Sequence, residues 1–198
     1  STNAGGSWAA AGNFTSLDNG QGLGVIKIAI SPSNPSELIA SVGDPTTNGL
    51  DFVGKTTDGG TTWTKISPTV DYLNTQQFYD QAIAIDPSNA NTLYVGGQFN
   101  GQDANGNFIN QVLKSTDGGT TWTDITTGAD GNGVHPDHHA MAFDASGKLL
   151  DGNDGGIWRL DNPAVGSIHW TDLNTNLATL QVVGLAIVPT DPNTAYIG

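Results

Sequence analysis

The sequence predicts an all-β protein assembled from repeats of four antiparallel strands. Its 198 residues include 27 glycines, which suit a chain with many tight turns. An eight-residue run, S/T-T-D-G-G-T-T-W, occurs twice, at 56–63 and 115–122. Short runs such as QAIAID at 81–86 alternate two kinds of side chain, as a strand does. The two copies of the long run lie roughly 60 residues apart, a period typical of propellers and solenoids.

Both copies of the eight-residue run predict a turn that leads into a strand. Glycine adopts the backbone angles that a tight turn needs, and Thr-Thr-Trp favours extended chain. We expect Asp58 and Asp117 to accept hydrogen bonds within their own turns. We expect Trp63 and Trp122 to bury their rings against a neighbouring sheet. These roles are structural.

Two weaker copies extend the repeat over the whole chain. Residues 1–8 keep the glycine and tryptophan positions, with Asn3 in place of the aspartate and Trp8 at the end. Towards the other end, Trp170 is followed by Thr-Asp-Leu, as Trp122 is followed by Thr-Asp-Ile. The chain therefore holds the same element four times.

Each repeat is predicted to have strands A to D, with the turn between C and D. The first unit has predicted strands at 27–31, 37–42, 52–56 and 61–66. The second has them at 81–86, 92–96, 111–115 and 120–126, and the third at 139–144, 148–150, 156–160 and 168–173. A last, partial unit has strands at 182–189 and 194–198, with a turn at 190–193. We expect a single domain over 1–198, with units at about 23–67, 80–126 and 138–173 and partial units at 1–14 and 181–198.

The net charge of the chain argues against two classes of binding partner. Six basic against nineteen acidic residues give a net charge of -13, which repels nucleic acid and anionic membranes. The chain has no cysteine, which excludes disulfides and thiolate metal sites. No stretch approaches the roughly 20 apolar residues that cross a bilayer, so we expect no membrane insertion. Because the chain begins inside a repeat, we expect a fragment of a larger secreted, extracellular protein.

Three of the four histidines fall within five residues, at His135, His138 and His139. They lie on the connection from strand D of the second unit to strand A of the third. Asn153 and Asp154 lie in the B-to-C turn of that third unit. Both kinds of connection should emerge on the face opposite the repeated turns, where function should be sought. We therefore expect these polar residues to meet on one face.

Three interpretations of this polar cluster are open. His135, His138 and Asp137 are candidate ligands of a divalent metal ion, the one candidate cofactor. Asp137 and Asp154 are candidate catalytic carboxylates that would flank a glycosidic bond as acid and base. Alternatively, His138 and Asp137 bond the adjoining turn and hold neighbouring units together. Among them, His138, His139 and Asn153 are also candidate ligand-binding residues.

Aromatic residues supply further candidates. Two long insertions, at 67–80 and 97–110, lie on the same predicted face. In the first, Tyr72 and Tyr79 are candidate ligand-binding residues that can stack on sugar rings or, alternatively, pin the loop to its unit. Trp158 is expected to pack between units rather than meet a ligand.

The repeated run resembles the Asp-box, or BNR repeat, whose pattern is S/T-x-D-x-G-x-x-W. This repeat occurs in sialidases, xyloglucan-hydrolysing endoglucanases, sortilin-type receptors and many secreted bacterial proteins. The resemblance covers essentially the whole chain and implies a β-propeller of four-stranded antiparallel blades. It also implies that the boxes lie on the face away from an active site. Either the first D strand completes the last, partial unit to give a four-bladed ring, or the chain is part of a larger propeller. The resemblance favours the second, because propellers of this kind usually have six, seven or more blades.

The polar cluster carries a second resemblance. The combination H-x-D-H-H-A and G-N-D-G-G-x-W is similar to a motif of secreted bacterial BNR proteins related to glycosyl hydrolases. The run from Asn153 to Arg159, NDGGIWR, resembles the D-x-G-G-x-Y-R run of xyloglucan-hydrolysing propellers, in which the aspartate is catalytic. Here Asn153 takes the place of that aspartate, and the neighbouring Asp154 is the candidate to replace it. A sialidase site needs three arginines, and this chain has only Arg159.

Two functions follow as hypotheses. The first is a secreted protein that binds, and as an extension hydrolyses, a neutral polysaccharide on the face opposite the boxes. The second is a non-catalytic extracellular module that assembles with other proteins. In either case we expect contact with further blades of the same parent chain or with other copies, because an isolated arc exposes two apolar faces.

Overall fold

The computed structural model describes residues 4–9, 12–175, 185–188 and 190–197. These residues form fourteen strands and one short 3-10 helix at Phe14–Leu17, with no α-helix among them. Twelve strands make three antiparallel sheets, each of four strands consecutive in the chain, and the last two strands make a hairpin. The predicted all-β fold of repeated four-stranded sheets is thus confirmed. In the described part of the chain, no helix is long and apolar enough to cross a membrane.

The strands follow the predicted order within each sheet. The first sheet contains β1 (Ile26–Ile30), β2 (Leu38–Gly43), β3 (Leu50–Thr56) and β4 (Thr64–Lys65). The second contains β5 (Ala82–Ile85), β6 (Leu93–Gly96), β7 (Val112–Ser115) and β8 (Thr123–Asp124). The third contains β9 (His138–Phe143), β10 (Leu149–Asn153), β11 (Gly156–Asn162) and β12 (His169–Asp172). The hairpin contains β13 (Leu185–Val188) and β14 (Asp191–Ile197).

Three groups of predicted bounds are wrong. Strand B of the third unit was expected to end at 150, but β10 continues to Asn153, so Asn153 lies in the strand and not in the B-to-C turn. Strands D of the first two sheets were expected over six or more residues, but β4 and β8 have two residues each. The threonines that precede them are bonded to the turn, not to the sheet. In the hairpin, the turn predicted at 190–193 is shorter, because β14 begins at Asp191 and pairs with Val188. Some predictions, including the role of Asn3, fall outside the described residues. The residues concerned are 1–3, 10, 11, 176–184, 189 and 198.

The sheets stand side by side with their first strands together. Strand β1 contacts β5, and β5 contacts β9, so the A strands lie at the inside of an arc. Apolar side chains fill the space between the sheets: Ile39, Ile85 and Leu93 pack between the first and second. A larger cluster that includes Tyr94, Leu160 and Trp170 joins the second and third. Burying each such side chain contributes about 1.5–3 kcal/mol, and this core fixes the connections at the ends of the strands.

The two repeated turns, residues 56–63 and 115–122, have the same internal bonds. In the second, the Oδ1 atom of Asp117 accepts the backbone N–H of Thr121 at 2.9 Å and the hydroxyl of Ser115 at 2.8 Å. Its Oδ2 atom accepts the hydroxyl of Thr121 at 2.6 Å. Gly118 and Gly119 have φ of 72° and 96°, in the left-handed region that favours glycine. Asp58 makes the same bonds in the first turn, so the predicted role of both aspartates is observed.

The tryptophans that end these turns join neighbouring sheets. The indole N–H of Trp122 donates to the carbonyl of Ile66 in the preceding unit at 2.8 Å. The indole of Trp170 donates to the carbonyl of Ile125, again in the preceding unit, at 2.8 Å. In both cases the acceptor lies three residues after the tryptophan of the preceding repeat. We call this contact the tryptophan bridge.

The first two tryptophans of the chain differ from this pattern. Trp63 is buried as predicted, but its indole donates to Gly60 in its own turn, at 3.1 Å. Trp8, which ends the first copy of the run, is 80% exposed. No neighbouring sheet covers it among the described residues.

Candidate functional site

The polar residues predicted to converge do meet, at the end of the third sheet opposite the repeated turns. The backbone N–H of Asp154 donates to the carbonyl of Asp137 at 3.3 Å, which ties the B-to-C turn to the D-to-A connection. His139, the second residue of β9, bonds Asp154 through its ring. The insertion at 67–80 brings Gln76, Tyr79 and further residues of the second unit to the same place.

Consecutive histidines of β9 point to opposite sides, as strand geometry requires. His138 is fully buried, and its Nδ1 atom donates to the carboxylate of Asp151, 2.9 and 2.8 Å from the two oxygens. Asn153 is buried beside them and donates its amide to Asp151 at 2.9 Å. Its own Oδ1 atom accepts the N–H of Gly155 at 2.9 Å. His138 and Asn153, both predicted to bind ligand, therefore lie inside the sheet and shape the turn that carries Asp154.

His139 occupies the centre of the exposed cluster. Its Nε2 atom donates to Asp154 Oδ1 at 2.7 Å, and its Nδ1 atom lies 3.5 Å from Asp80 Oδ1. The ring of Tyr79 stands edge-on to the imidazole, with 4.7 Å between ring centres. Tyr79 and the side chain of Asp154 are each 52% exposed, whereas Asp80 is fully buried. The imidazole thus connects a buried carboxyl to one that faces solvent.

Asp80 is the residue that sequence analysis missed. Neither of its carboxylate oxygens has a hydrogen-bond partner among the described residues. Burial, followed by the nearby carboxylate of Asp137, raises the pKa of Asp80 to about 7, although His139 acts in the opposite direction. A protonated Asp80 can donate a hydrogen bond to Asp137, so the two neighbouring carboxyl groups need no cation between them. Asp137 also accepts the amide of Gln76 at 3.2 Å, and its φ of 69° is uncommon for a non-glycine residue.

A signal for Asp80 was present in the repeat. Aligned on the A strands, QAIAID at 81–86 matches HAMAFD at 139–144, which puts Asp80 at the position of His138. The aligned residues Asp80 and His138, at or just before the start of strand A, are therefore both polar and buried. The single aspartate at the end of a long insertion did not indicate this, because its burial depends on how the insertion folds back.

The aromatic residues of the first insertion divide into a buried and an exposed set. Tyr72, predicted to bind ligand, is fully buried and shares a hydrogen bond of 2.6 Å with Ser41, so a ligand cannot stack on it. It pins the loop between the first and second sheets, which was the alternative interpretation. Phe78 and Tyr79 are exposed, and Tyr79 stands beside His139.

A groove of about 510 Å³ adjoins the cluster. Its lining includes the consecutive residues His135, Pro136 and Asp137 and the aromatic residues Phe99, Phe108 and Trp158. A second hollow of about 430 Å³ is also lined by Trp158, together with His169 and Asp172. Trp158 packs against the core as predicted, but it also lines both hollows, and its indole N–H has no acceptor among the described residues.

The predicted metal ligands are not arranged around a common point. His138 is committed to Asp151, and the Nδ1 atom of His135 lies 3.0 Å from the carbonyl of Pro136. Within the described ranges, no group of three or more His, Cys, Asp or Glu side chains is placed to hold a metal ion. The residues therefore do not fit a divalent metal at this position.

Solved structures with the same arrangement of sheets are propellers. The match to the GH74 xyloglucanase from Xanthomonas campestris has a TM-score of 0.53 at 16% identity and covers 75% of this chain and 23% of the enzyme. An ancestral GH74 enzyme matches with a TM-score of 0.51 at 19% identity over 85% of this chain and 20% of the enzyme. The fold is that of β-propeller blades. YCF48 from Cyanidioschyzon merolae matches more weakly, with a TM-score of 0.41 at 20% identity over 75% of this chain and 36% of that one. No protein-family model and no curated protein sequence matches the chain.

The matched enzymes are several times longer than this chain. It spans 23% and 20% of the length of the two GH74 enzymes. Its three sheets correspond to three blades, with β13 and β14 as the first two strands of another. At such low identity the likeness extends to the fold and not to the site.

Proposed function

We propose that the face around His139 binds a neutral carbohydrate. The observation that carries the proposal is the exposed ring of Tyr79 beside His139 and Asp154, next to an aromatic groove. An exposed aromatic ring offers a flat apolar surface to the C–H face of a sugar. Carboxylate, imidazole and amide groups bond sugar hydroxyls, and such a mixture is typical of small-molecule sites.

The charge of the face favours a neutral ligand. Asp137 and Asp154 lie around the cluster, and the chain has a net charge of -13. A sulfated or uronic-acid polysaccharide would be repelled by this field. Carboxylates instead accept hydrogen bonds from hydroxyl groups, which a neutral glycan presents along its whole length.

Hydrolysis of the bound glycan is a second candidate, favoured by the proton held near Asp80. A general acid has to be protonated near neutral pH, and the raised pKa of Asp80 meets this condition. Asp80 is buried, however, so it cannot touch a substrate directly. Asp137, which lines the groove and can receive that proton, is the group placed to deliver it, with Asp154 as the second carboxylate.

Binding is tested by calorimetry with soluble neutral oligosaccharides, such as cello- and xyloglucan-oligosaccharides. Tyr79→Ala is expected to weaken binding about tenfold or more, because the contact between an aromatic ring and a sugar ring contributes on the order of 1 kcal/mol or more. Asp154→Asn is expected to weaken it less. Val165→Ala, which truncates an exposed apolar side chain outside the cluster, is the control.

The outcomes separate the two candidates. Binding that Tyr79→Ala removes and Val165→Ala leaves unchanged supports the proposal. Release of new reducing ends, lost in Asp137→Asn while binding persists, supports hydrolysis. Equal binding by wild type and Tyr79→Ala, or a preference for basic peptides over every glycan, would overturn the carbohydrate proposal.

A further inference from the structure

His139 stands between two carboxyl groups that differ in their access to water. Its Nε2 atom donates to Asp154 Oδ1 at 2.7 Å, and its Nδ1 atom lies 3.5 Å from Asp80 Oδ1. The side chain of Asp154 is 52% exposed, whereas that of Asp80 is 1% exposed. The two ring nitrogens of one imidazole therefore face a hydrated carboxyl group and a buried one.

Asp80 depends on His139 for any compensation of its charge. The side chains that act on it most strongly are Asp137 from the D-to-A connection, His139 from β9 and Asp154 from the turn after β10. From the insertion that precedes Asp80, the ring of Tyr79 stands against His139. Among the described residues, no lysine or arginine pairs with Asp80, and neither of its oxygens accepts a hydrogen bond. An ionised Asp80 can thus be compensated only by an N–H of His139.

A proton on Asp80 makes the whole cluster compatible with the observed contacts. Asp80 then donates a hydrogen bond to Asp137, which also accepts the amide of Gln76 at 3.2 Å. The Nε2 atom of His139 keeps its proton and donates it to Asp154, whether the imidazole is neutral or charged. In this state the imidazole holds Asp154 in place at the ligand face.

Loss of that proton makes two carboxylates compete for one donor. A neutral imidazole has a single N–H, so it can donate to Asp80 or to Asp154 but not to both. A charge without a partner costs far more in the interior than in water, and only Asp154 has access to water. The imidazole therefore releases its Nε2 proton to solvent and takes a proton from solvent at Nδ1. The Nε2 lone pair then faces Asp154 and repels it.

We propose that Asp80 is a positioning residue that acts through His139, so that its protonated form holds Asp154 at the ligand face and its ionised form releases Asp154. Going from the first state to the second releases one proton in total, the one that Asp80 carried. Because burial raises the pKa of Asp80 to about 7, the two states exchange near neutral pH.

The consequence for ligand binding rests on the proposed function, because the ligand of this face is then a neutral glycan. A carboxylate that is already held in place loses less side-chain freedom when a ligand binds, which favours binding. The state with protonated Asp80 therefore binds the glycan more tightly. Binding is expected to weaken as the pH rises through about 7.

Nuclear magnetic resonance tests the exchange without any ligand. The protonation of each ring nitrogen of His139 is measured from its nitrogen-15 chemical shift at pH 6 and pH 9. In wild type we expect a proton on Nε2 at pH 6 and on Nδ1 alone at pH 9. Asp80→Asn should keep the proton on Nε2 at both pH values, because an amide carries no charge to compensate.

Asp154→Asn is the matched control. It makes the same replacement at the other carboxyl group that faces His139, and it leaves Asp80 to attract the Nδ1 proton, so the exchange should persist. His169, whose Nε2 atom lies 3.8 Å from Asp130 outside the cluster, is the internal reference and should behave alike in all three proteins. Circular dichroism at both pH values establishes that each variant is folded.

Calorimetry with a xyloglucan oligosaccharide at the same two pH values measures the effect on binding. Wild type should bind about fivefold more weakly at pH 9 than at pH 6, the size expected for one side chain that has to be ordered. Asp80→Asn should bind equally at both pH values.

The outcomes separate this inference from the carbohydrate proposal. A proton that stays on Nε2 of His139 in wild type at pH 9 overturns the role of Asp80, as does an exchange that survives in Asp80→Asn. Glycan binding that is the same at pH 6 and pH 9 in wild type overturns the control of binding. If no glycan binds at either pH, the carbohydrate proposal fails, and the nitrogen-15 shifts still decide whether Asp80 positions His139.

Discussion

At the scale of single residues, Asp80 makes the fold less stable in order to hold a proton at the candidate site. The pKa of Asp80 rises from 3.8 to about 7 on folding. Between these two pH values the residue keeps its proton in the folded state and loses it in the unfolded state. The contribution to stability is therefore complete below about pH 4 and falls as the pH rises towards 7, above which it is constant. Asp80 therefore lowers the free energy of unfolding at neutral pH. A strongly shifted pKa of this kind is typical of functional positions.

Asp80→Asn is expected to remove this pH dependence. The amide keeps the shape of a protonated carboxyl and can donate to Asp137. At pH 8 the free energy of unfolding of the variant should exceed that of wild type by on the order of a few kcal/mol. At pH 4 the two free energies should be similar. Urea unfolding at pH 4, 6 and 8 measures the difference. Parallel pH profiles for the two proteins would show that Asp80 is ionised in the fold.

At the scale of elements, the repeated turn has the opposite dependence. Hydrogen bonds from Thr121 and Ser115 lower the pKa of Asp117 to about 2, with the Thr121 hydroxyl as the largest cause. Stability from this carboxylate is complete above about pH 4 and is lost as the pH falls towards 2. Asp117→Asn should therefore lower the unfolding free energy at pH 7 and reduce its loss on acidification. Thr121→Val, which removes only the hydroxyl, should do the same to a smaller extent. Acid titration of unfolding by fluorescence tests both, and an unchanged profile in Asp117→Asn would contradict the role of the turn.

The elements also show how far the sequence predicts the structure. The run from Thr56 to Trp63 and its second copy predicted where each sheet turns and how its strands are ordered, because those features depend on local chemistry. The short D strands were not predicted, since Thr62 and Thr121 favour extended chain in general and here bond the turn aspartate. A residue type indicates a preference, and the competing partner decides it.

The candidate site was predictable only in part, for a related reason. The convergence of His139 and Asp154 follows from strand connectivity, which the repeat supplies. Which of two adjacent histidines faces inward depends on the register of β9, and it is His138 that is buried. The burial of Tyr72 and Asp80 depends on the path of a long insertion, which has no period and no fixed length. Spacing alone does not distinguish a residue that pins a loop from one that meets a ligand.

At the scale of the whole molecule, the tryptophan bridges make stability a property of neighbouring blades. Each bridge satisfies one backbone carbonyl and buries one indole between two sheets, so each couples only the blades on either side. Trp122→Phe and Trp170→Phe should each lower the unfolding free energy by about 1–2 kcal/mol, since each leaves a carbonyl without its donor. The bridges lie at different junctions and share no partner, so the two losses should add to within about 0.5 kcal/mol.

The exposed tryptophan provides the control for this prediction. Trp8→Phe removes the same indole N–H from a side chain that is 80% exposed and bridges no two sheets among the described residues, so its unfolding free energy should equal that of wild type. Urea unfolding of the three variants measures the difference. A loss in Trp8→Phe as large as the losses in Trp122→Phe and Trp170→Phe would mean that the effect of these substitutions does not come from the tryptophan bridge.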